Sequence, residues 1–352
     1  MATSYNNIGN AYGEQEDLDK ALDRYQKALD IRARVLGGSH ADVAASYNNI
    51  GIVYKKQKEY VKALMHYEKA LEIDLEAKGD LHADVAKSYH NIGAVYEDKG
   101  DFQQAHFHYR RSFEINTHVL GTHHPSTALS ITGIANLYLL QEDHENAILH
   151  HKKALEVFLA VYGHEDLRVA DSYKNIGVSY DKHGDYDQAL IYHQKCLEIS
   201  IRAVGKHMHV ADCYHNIGEV YCKQGKYKEA LDMYTKSLEI KIKIGGMHRS
   251  EVGVSYNKIG LVYECKGDLE NALVHHEKAL SIFLAVHGEE HQLVADSKYN
   301  LAIQHKKRKE TDKARQLFLE CAKIYAIIHE PEHEETLDAA KQARSCAPSK
   351  SV

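Results

Sequence analysis

The chain has 352 residues, of which 27% are charged and 44% hydrophobic, and a net charge of -6. These proportions describe an ordered chain, and a mildly acidic balance without a basic stripe excludes nucleic acid as the default partner. No apolar run approaches the ~20 residues of a membrane helix, so no membrane insertion is expected, and only three prolines, Pro125, Pro331 and Pro348, interrupt what reads as a nearly all-helical chain.

The first predicted helix holds residues 4–12, SYNNIGNAY. The stretch returns at 46–54, 88–96, 172–180, 213–221 and 255–263, with weaker copies at 130–138 and 297–305. The last residues of the copies, Tyr12, Tyr54, Tyr96, Tyr138, Tyr180, Tyr221, Tyr263 and His305, give a period of 42 with one step of 41 near Gly205. A fixed period of this length decides the fold, because each unit buries its apolar face only against its neighbours. The reading is one array over 1–347, with helix-turn-helix repeats near 1–36, 41–78, 83–120, 125–162, 167–204, 208–245, 250–287 and 292–329. A capping helix over 333–347 and a frayed tail at 348–352 follow. The first repeat lacks the HADVA turn that precedes the second, which suggests a piece of a longer array. Met1, Ala2 and Thr3 already belong to a repeat, so no leader segment is expected.

Within one repeat, Val43, Tyr47, Ile50, Gly51 and Tyr54 form one helical stripe, and Ala63, Leu64, Tyr67, Ala70, Leu71 and Ile73 form a second. Ala21, Ala63, Ala105, Ala147, Ala189, Ala230, Ala272 and Ala314 hold one second-helix position throughout. Gly51 and Ala63 are expected to let the two backbones meet. Glycine closes each second helix, and Ser, His or Asp caps the next first helix. Cys196 and Cys321 stand where other repeats hold alanine, and Cys213 where they hold serine. The six cysteines show no disulfide spacing and read as small core residues of a reducing cytoplasm.

The aromatic, Ile and Gly positions of Tyr47, Ile50, Gly51 and Tyr54, with Ala63, Tyr67 and Ala70, resemble the tetratricopeptide repeat (TPR). The 42-residue period, the Asn-Asn pair and the LGxxH…DVA linker are similar to the long-repeat subgroup of kinesin light chains and nephrocystin-type proteins. The resemblance covers essentially the whole chain, although the heptad coiled coil of kinesin light chains is missing from this sequence. It implies an all-α, right-handed superhelix of about eight repeats plus a capping helix, acting as a cytoplasmic, non-catalytic scaffold. The expected partner is a protein or peptide in the concave groove of a monomer; self-association through convex faces or array ends is the alternative.

Opposite the apolar stripe runs a polar one, beginning with Thr3, Asn7, Asn10 and Glu14. Followed through the repeats it becomes a ladder of Asn7, Asn49, Asn91, Asn175, Asn216 and Asn300. A carboxamide both donates and accepts, so such a row suits the main chain of an extended peptide, and equally suits bonds between neighbouring helices. Ile52 and its counterparts offer side-chain pockets. Lys56 and Lys87 dominate the early repeats, whereas Asp171, Asp212, Glu219 and Asp296 enter later; the helix dipole also explains the aspartates near helix starts. The resemblance places Lys87 and Asn91 at groove positions that contact acidic cargo peptides. Repeat four departs from the pattern: Leu129, Gly133, Asn136 and Leu140 suggest a bend or an apolar pocket.

No phosphate loop, dinucleotide fingerprint or nucleophile elbow is present, so neither catalysis nor a cofactor is expected. The 26 histidines include no HExxH and no pair at i, i+4 within one predicted helix, and no metal site is expected.

Overall fold

The computed structural model describes residues 1–15, 17–205, 207–247, 249–329 and 331–346. Among them are 17 α-helices and no strand. The chain divides into two compact units, Met1–Gly184 and Asp185–Val352. The first holds α1 (Ala2–Glu14), α2 (Leu18–Leu36), α3 (Ala41–Lys56), α4 (Tyr60–Lys78), α5 (Ala83–Asp98), α6 (Phe102–Leu120), α7 (Pro125–Leu140), α8 (His144–Tyr162) and α9 (Leu167–His183). The second holds α10 (Tyr186–Val204), α11 (Met208–Lys223), α12 (Tyr227–Gly245), α13 (Ser250–Cys265), α14 (Leu269–His287), α15 (Gln292–Lys307), α16 (Thr311–Ile328) and α17 (Glu334–Ser345). Within each unit every helix packs on the one before and the one after it. Residues 347–352, which include the expected frayed tail, lie outside the described residues.

The helix ends follow from local chemistry. His40, His82, His124, His207, His291 and His333 each cap the following helix, their Nδ1 accepting a backbone N–H two residues on. Asp166 does the same for α9. The second helices from α2 to α14 stop at glycines with positive φ, such as Gly37 at 89° and Gly79 at 76°, where a side chain would be strained, whereas α16, against the expectation, ends at His329 in extended backbone. In the turns inside the hairpins, Gly100 and Gly184 again take positive φ, but Lys58, Glu142 and Lys309 adopt it without being glycine, at about 1 kcal/mol each.

The eight alanines of the second helices are 0% exposed, so the helices meet there as expected. The glycine of the first helices works differently from the sequence expectation. A Cβ on Gly51 would lie 2.7 Å from the Tyr67 ring, and one on Gly9 equally close to the Tyr25 ring. Glycine therefore makes room for an aromatic ring, not for a neighbouring backbone. Burying such a ring stabilises by roughly 1.5–3 kcal/mol. His151, His193 and His276 take the same register and are also buried. Burial pushes His151 and His276 down to about 4, which keeps these imidazoles neutral at neutral pH.

Candidate functional site

The asparagine ladder is partly spent on the stack itself. Asn49 Nδ2 donates to Asn6 Oδ1 at 2.8 Å, Asn91 Nδ2 to Asn48 Oδ1 at 3.3 Å, and Asn300 Nδ2 to Asn257 Oδ1 at 3.1 Å. In each case the asparagine at the second position of the Asn-Asn register holds the asparagine at the first position in the preceding first helix. Asn10 Oδ1 accepts the Tyr25 hydroxyl at 2.8 Å, tying α1 to α2. Lys56 Nζ reaches the Gly13 carbonyl at 3.5 Å. Asn7 is exposed on α1 and Ile52 is 42% exposed on α3. Asn175 on α9 and Asn216 on α11 are half-buried.

Two of the expected residues converge. Lys87 and Asn91 line a cavity of about 390 Å³ between α5, α6 and α7, together with Ala83, Asp84, His90, Ser112, Asn116, Ser126, Leu129 and Ser130. Its wall is a hydrogen-bonded cluster. Ser112 and Ser130 hydroxyls are 2.8 Å apart, and Asn116 Nδ2 donates to the Ser126 carbonyl at 3.2 Å and to Ser130 Oγ at 3.3 Å. Asn116 is 3% exposed, and its Oδ1 has no hydrogen-bond partner, nor has His90 Nδ1. A buried acceptor left this way is an open position for a ligand donor.

The charges of the cavity sort themselves. Lys78 Nζ binds both Asp74 at 2.8 Å and Asp84 at 2.5 Å, so the Asp84 carboxylate is neutralised from behind. Burial alone would raise the Asp84 carboxyl, but the Lys78 contact outweighs it and holds Asp84 below its ordinary range. His90 is pushed down to about 4, first by burial and then by Lys55, and carries no charge at neutral pH. Lys87 is exposed at the rim. Leu129, which stands one repeat after Lys87 at the same register, is 49% exposed beside it. The cavity thus offers a cation, an apolar patch and buried amide and imidazole groups.

Asn300 lines a different cavity of about 370 Å³ in the second unit, with Asp296, Tyr299, Tyr325, Glu334, Glu335 and Asp338. Tyr325 donates to Asp296 Oδ1 at 2.8 Å and Tyr299 to Asp338 Oδ2 at 2.5 Å. Burial raises the Asp296 carboxyl above its usual range.

Sequence reasoning passed over Asp84, His90, Asn116 and Ser112 at the first cavity. A signal was present. The register of Asn116 is filled by Arg32, Asp74, Phe158, Ser200, Lys241, Phe283 and Tyr325 in the other repeats. That variety marks a mostly buried position whose side chain the repeat does not fix.

The comparisons place this arrangement among known proteins. The tetratricopeptide repeat model matches residues 1–76, 42–118, 84–160, 126–202, 184–243 and 251–327. The fold resembles BtubC (BKLC) from P. vanneervenii, with 21% identity and a TM-score of 0.55, over 67% of this chain and 93% of that one. It also resembles a Podosopora anserina protein of nearly identical TPR-like repeats, described as a kinesin light chain, with 17% identity and a TM-score of 0.52 over 59% and 99% of the two chains. The apo form of RapI matches at 18% identity and a TM-score of 0.50 over 86% and 97%. No curated protein matches the chain significantly. Among the described residues, no helix is long and apolar enough to cross a membrane.

Proposed function

The chain belongs to the tetratricopeptide repeat family, whose members serve generally as protein–protein interaction scaffolds and are typically non-catalytic; on that premise we propose that it is an adaptor binding an acidic peptide segment of a partner protein at the Lys87 cavity. The observation that carries this reading is the meeting of Lys87, Asn91 and Leu129 around a cavity whose buried Asn116 Oδ1 lacks a partner. A carboxylate side chain pairs with Lys87, an adjacent apolar side chain covers Leu129, and a peptide N–H reaches Asn116. The free carboxamide valences of Asn91 are left for main chain. Asn7, Asn49, Asn175, Asn216 and Asn300, with Asn10, Ile52 and Lys56, belong to the wider surface of this reading; where they bond to one another they stiffen it, so that the peptide alone bears the ordering cost.

Fluorescence anisotropy with an acidic peptide library tests it. K87E is expected to weaken acidic binders by about tenfold or more while leaving the melting curve in place. Unchanged affinity in K87E would reject the assignment of the acidic ligand to this cavity.

A second reading has its own observation. Met65, Phe107 and Leu149 occupy one register on α4, α6 and α8 and are 58%, 54% and 47% exposed. A row of large apolar side chains on successive second helices fits self-association through those helices. Sedimentation would show a concentration-dependent dimer that disappears in F107E.

A further inference from the structure

Three side chains that depart from the repeat meet in the second unit. Cys196 on α10 stands where Ala28, Ala70, Ala154 and Ala279 stand. Cys213 on α11 takes the place of Ser46, Ser88, Ser172, Ser255 and Ser297. His209, one turn before Cys213, stands where the second and third repeats hold Asp42 and Asp84. The two sulfurs are 3.0 Å apart, and His209 Nδ1 lies 3.9 Å from Cys213 Sγ. Ser200 Oγ lies 2.9 Å from that Nδ1 and 3.7 Å from Cys213 Sγ. Both thiols are 1% exposed, and the imidazole is half-buried. The three ligand atoms all fall within 4.8 Å of one another.

The packing does not call for sulfur. In the first unit the same pair of registers holds Ser112 and Ser130, joined by a hydrogen bond of 2.8 Å. Ser237 and Ser255 hold them in α12 and α13, Cys321 and Ala339 in α16 and α17, and in the four other repeats an alanine stands at the first register and a serine at the second. The repeat brings these two positions together in any case, and among the described residues only here does it bring together two thiols and an imidazole.

We infer that Cys196, His209 and Cys213 form a binding site for a thiophilic cation of the zinc class. Two thiolates and one imidazole are a zinc donor set that leaves a fourth position open. Zinc bonds of about 2.3 Å to sulfur and 2.0–2.1 Å to nitrogen put tetrahedral donors roughly 3.5–3.8 Å apart. The imidazole and Cys213 already stand near that spacing, and the sulfurs separate by less than about 1 Å to admit the ion. The Ser200 hydroxyl or a water fills the remaining position. The reaction balances as one divalent ion taken up and two thiol protons released, so the buried complex carries no net charge. Calcium and magnesium, which need oxygen ligands, do not fit. The bound ion ties α10 to α11 within their unit.

The full chain, stripped of metal and kept reduced, is titrated with cobalt(II) as a spectroscopic stand-in and then with zinc(II). One equivalent of cobalt should produce sulfur-to-metal charge-transfer absorption and tetrahedral visible bands; zinc should bleach both and raise the melting temperature. The C196A/C213S variant restores residues that other repeats carry at these registers, so it should fold. It should lose the sulfur absorption and weaken binding by more than about 100-fold, since even outer partners of a metal site are worth 10–100-fold. H329A/H333A, which removes the cluster formed with Glu335, should keep the sulfur absorption. Absence of that absorption in the wild type, equal zinc affinity in C196A/C213S, or a Cys196–Cys213 disulfide formed in place of metal uptake would overturn the assignment.

Discussion

Two cavities lie at one register of the repeat, one in each unit, and their chemistry is opposite. Lys87 and Leu129 flank the first; Asp296 and Asp338, at the corresponding positions of α15 and α17, flank the second. The asparagine beside them is common to both, as Asn91 and Asn300, and in both it bonds to the preceding first helix. The backbone repeat therefore decides where a cavity forms, while two side chains per repeat decide its charge. The comparison also separates charge that is present from charge that is available. Asp296 accepts from Tyr325 and Gln292, and Asp338 from Tyr299, so those carboxylates serve the fold. Lys87 stands exposed at its rim, and its neighbour Asp84 is already matched by Lys78.

The largest expected effect is one the two units share. Burial depresses His90 and His151 in the first unit and His215 and His276 in the second, each to about 4. The folded form keeps them neutral, whereas the unfolded chain takes up protons near its ordinary value of about 6.5. The unfolded state thus binds more protons between about pH 6.5 and 4, and stability is complete above that window and lost as pH falls through it. The total should reach several kcal/mol, on the order of 1.4 per histidine per pH unit at the limit. Thermal melts at pH 7.5 and 5.0 should differ strongly in both units; a flat melting temperature would remove the buried neutral histidines from the account.

The departure of repeat four should break next. A Cβ on Gly133 would lie 2.7 Å from the Tyr109 ring, which also fills the space beside Gly93. G133N, which restores the missing rung of the ladder, should cost about 1–3 kcal/mol by overpacking. Equal stability in denaturant titration would show that the ring yields easily.

D296A and K87A test fold against availability. Removing the Asp296 carboxylate leaves the Tyr325 hydroxyl without its acceptor, while Gln292 keeps Glu335, and should cost about 1–3 kcal/mol. K87A should change stability by less than about 0.5 kcal/mol. Comparable losses in the two would erase the distinction between the cavities.

Writing the second cavity into the first sharpens it further. K87D/L129D should exchange the proposed preference for acidic peptides for one toward basic peptides, by about tenfold, or 1.4 kcal/mol, in each direction. A modest effect belongs to N91A, whose lost bond to Asn48 should cost about 0.5–1.5 kcal/mol of stability. Its effect on peptide affinity, measured beside the melt, divides stacking from recognition.

Much of this was legible before any coordinates. The 42-residue period, the alanine column and the glycine and histidine signals at helix ends specify helix pairs packed as repeats, because each is a local demand of backbone sterics, capping or close approach. Lys87 and Asn91 were legible as neighbours on one face of a single helix. The partners of Asn91 and of Asn116 were not, since they lie on other helices, at registers whose side chains vary from repeat to repeat. The glycine of the first helices was misread for the same reason: its residue type announces missing volume, and only packing shows that a tyrosine ring fills it. The meeting of Cys196, His209 and Cys213 was hidden likewise, because its i, i+4 half on α11 pairs a histidine with a cysteine and its other half arrives from α10. Periodic sequence determines the backbone through interactions that repeat; the chemistry of each cavity depends on the side chains that do not, and only tertiary packing says which of those meet.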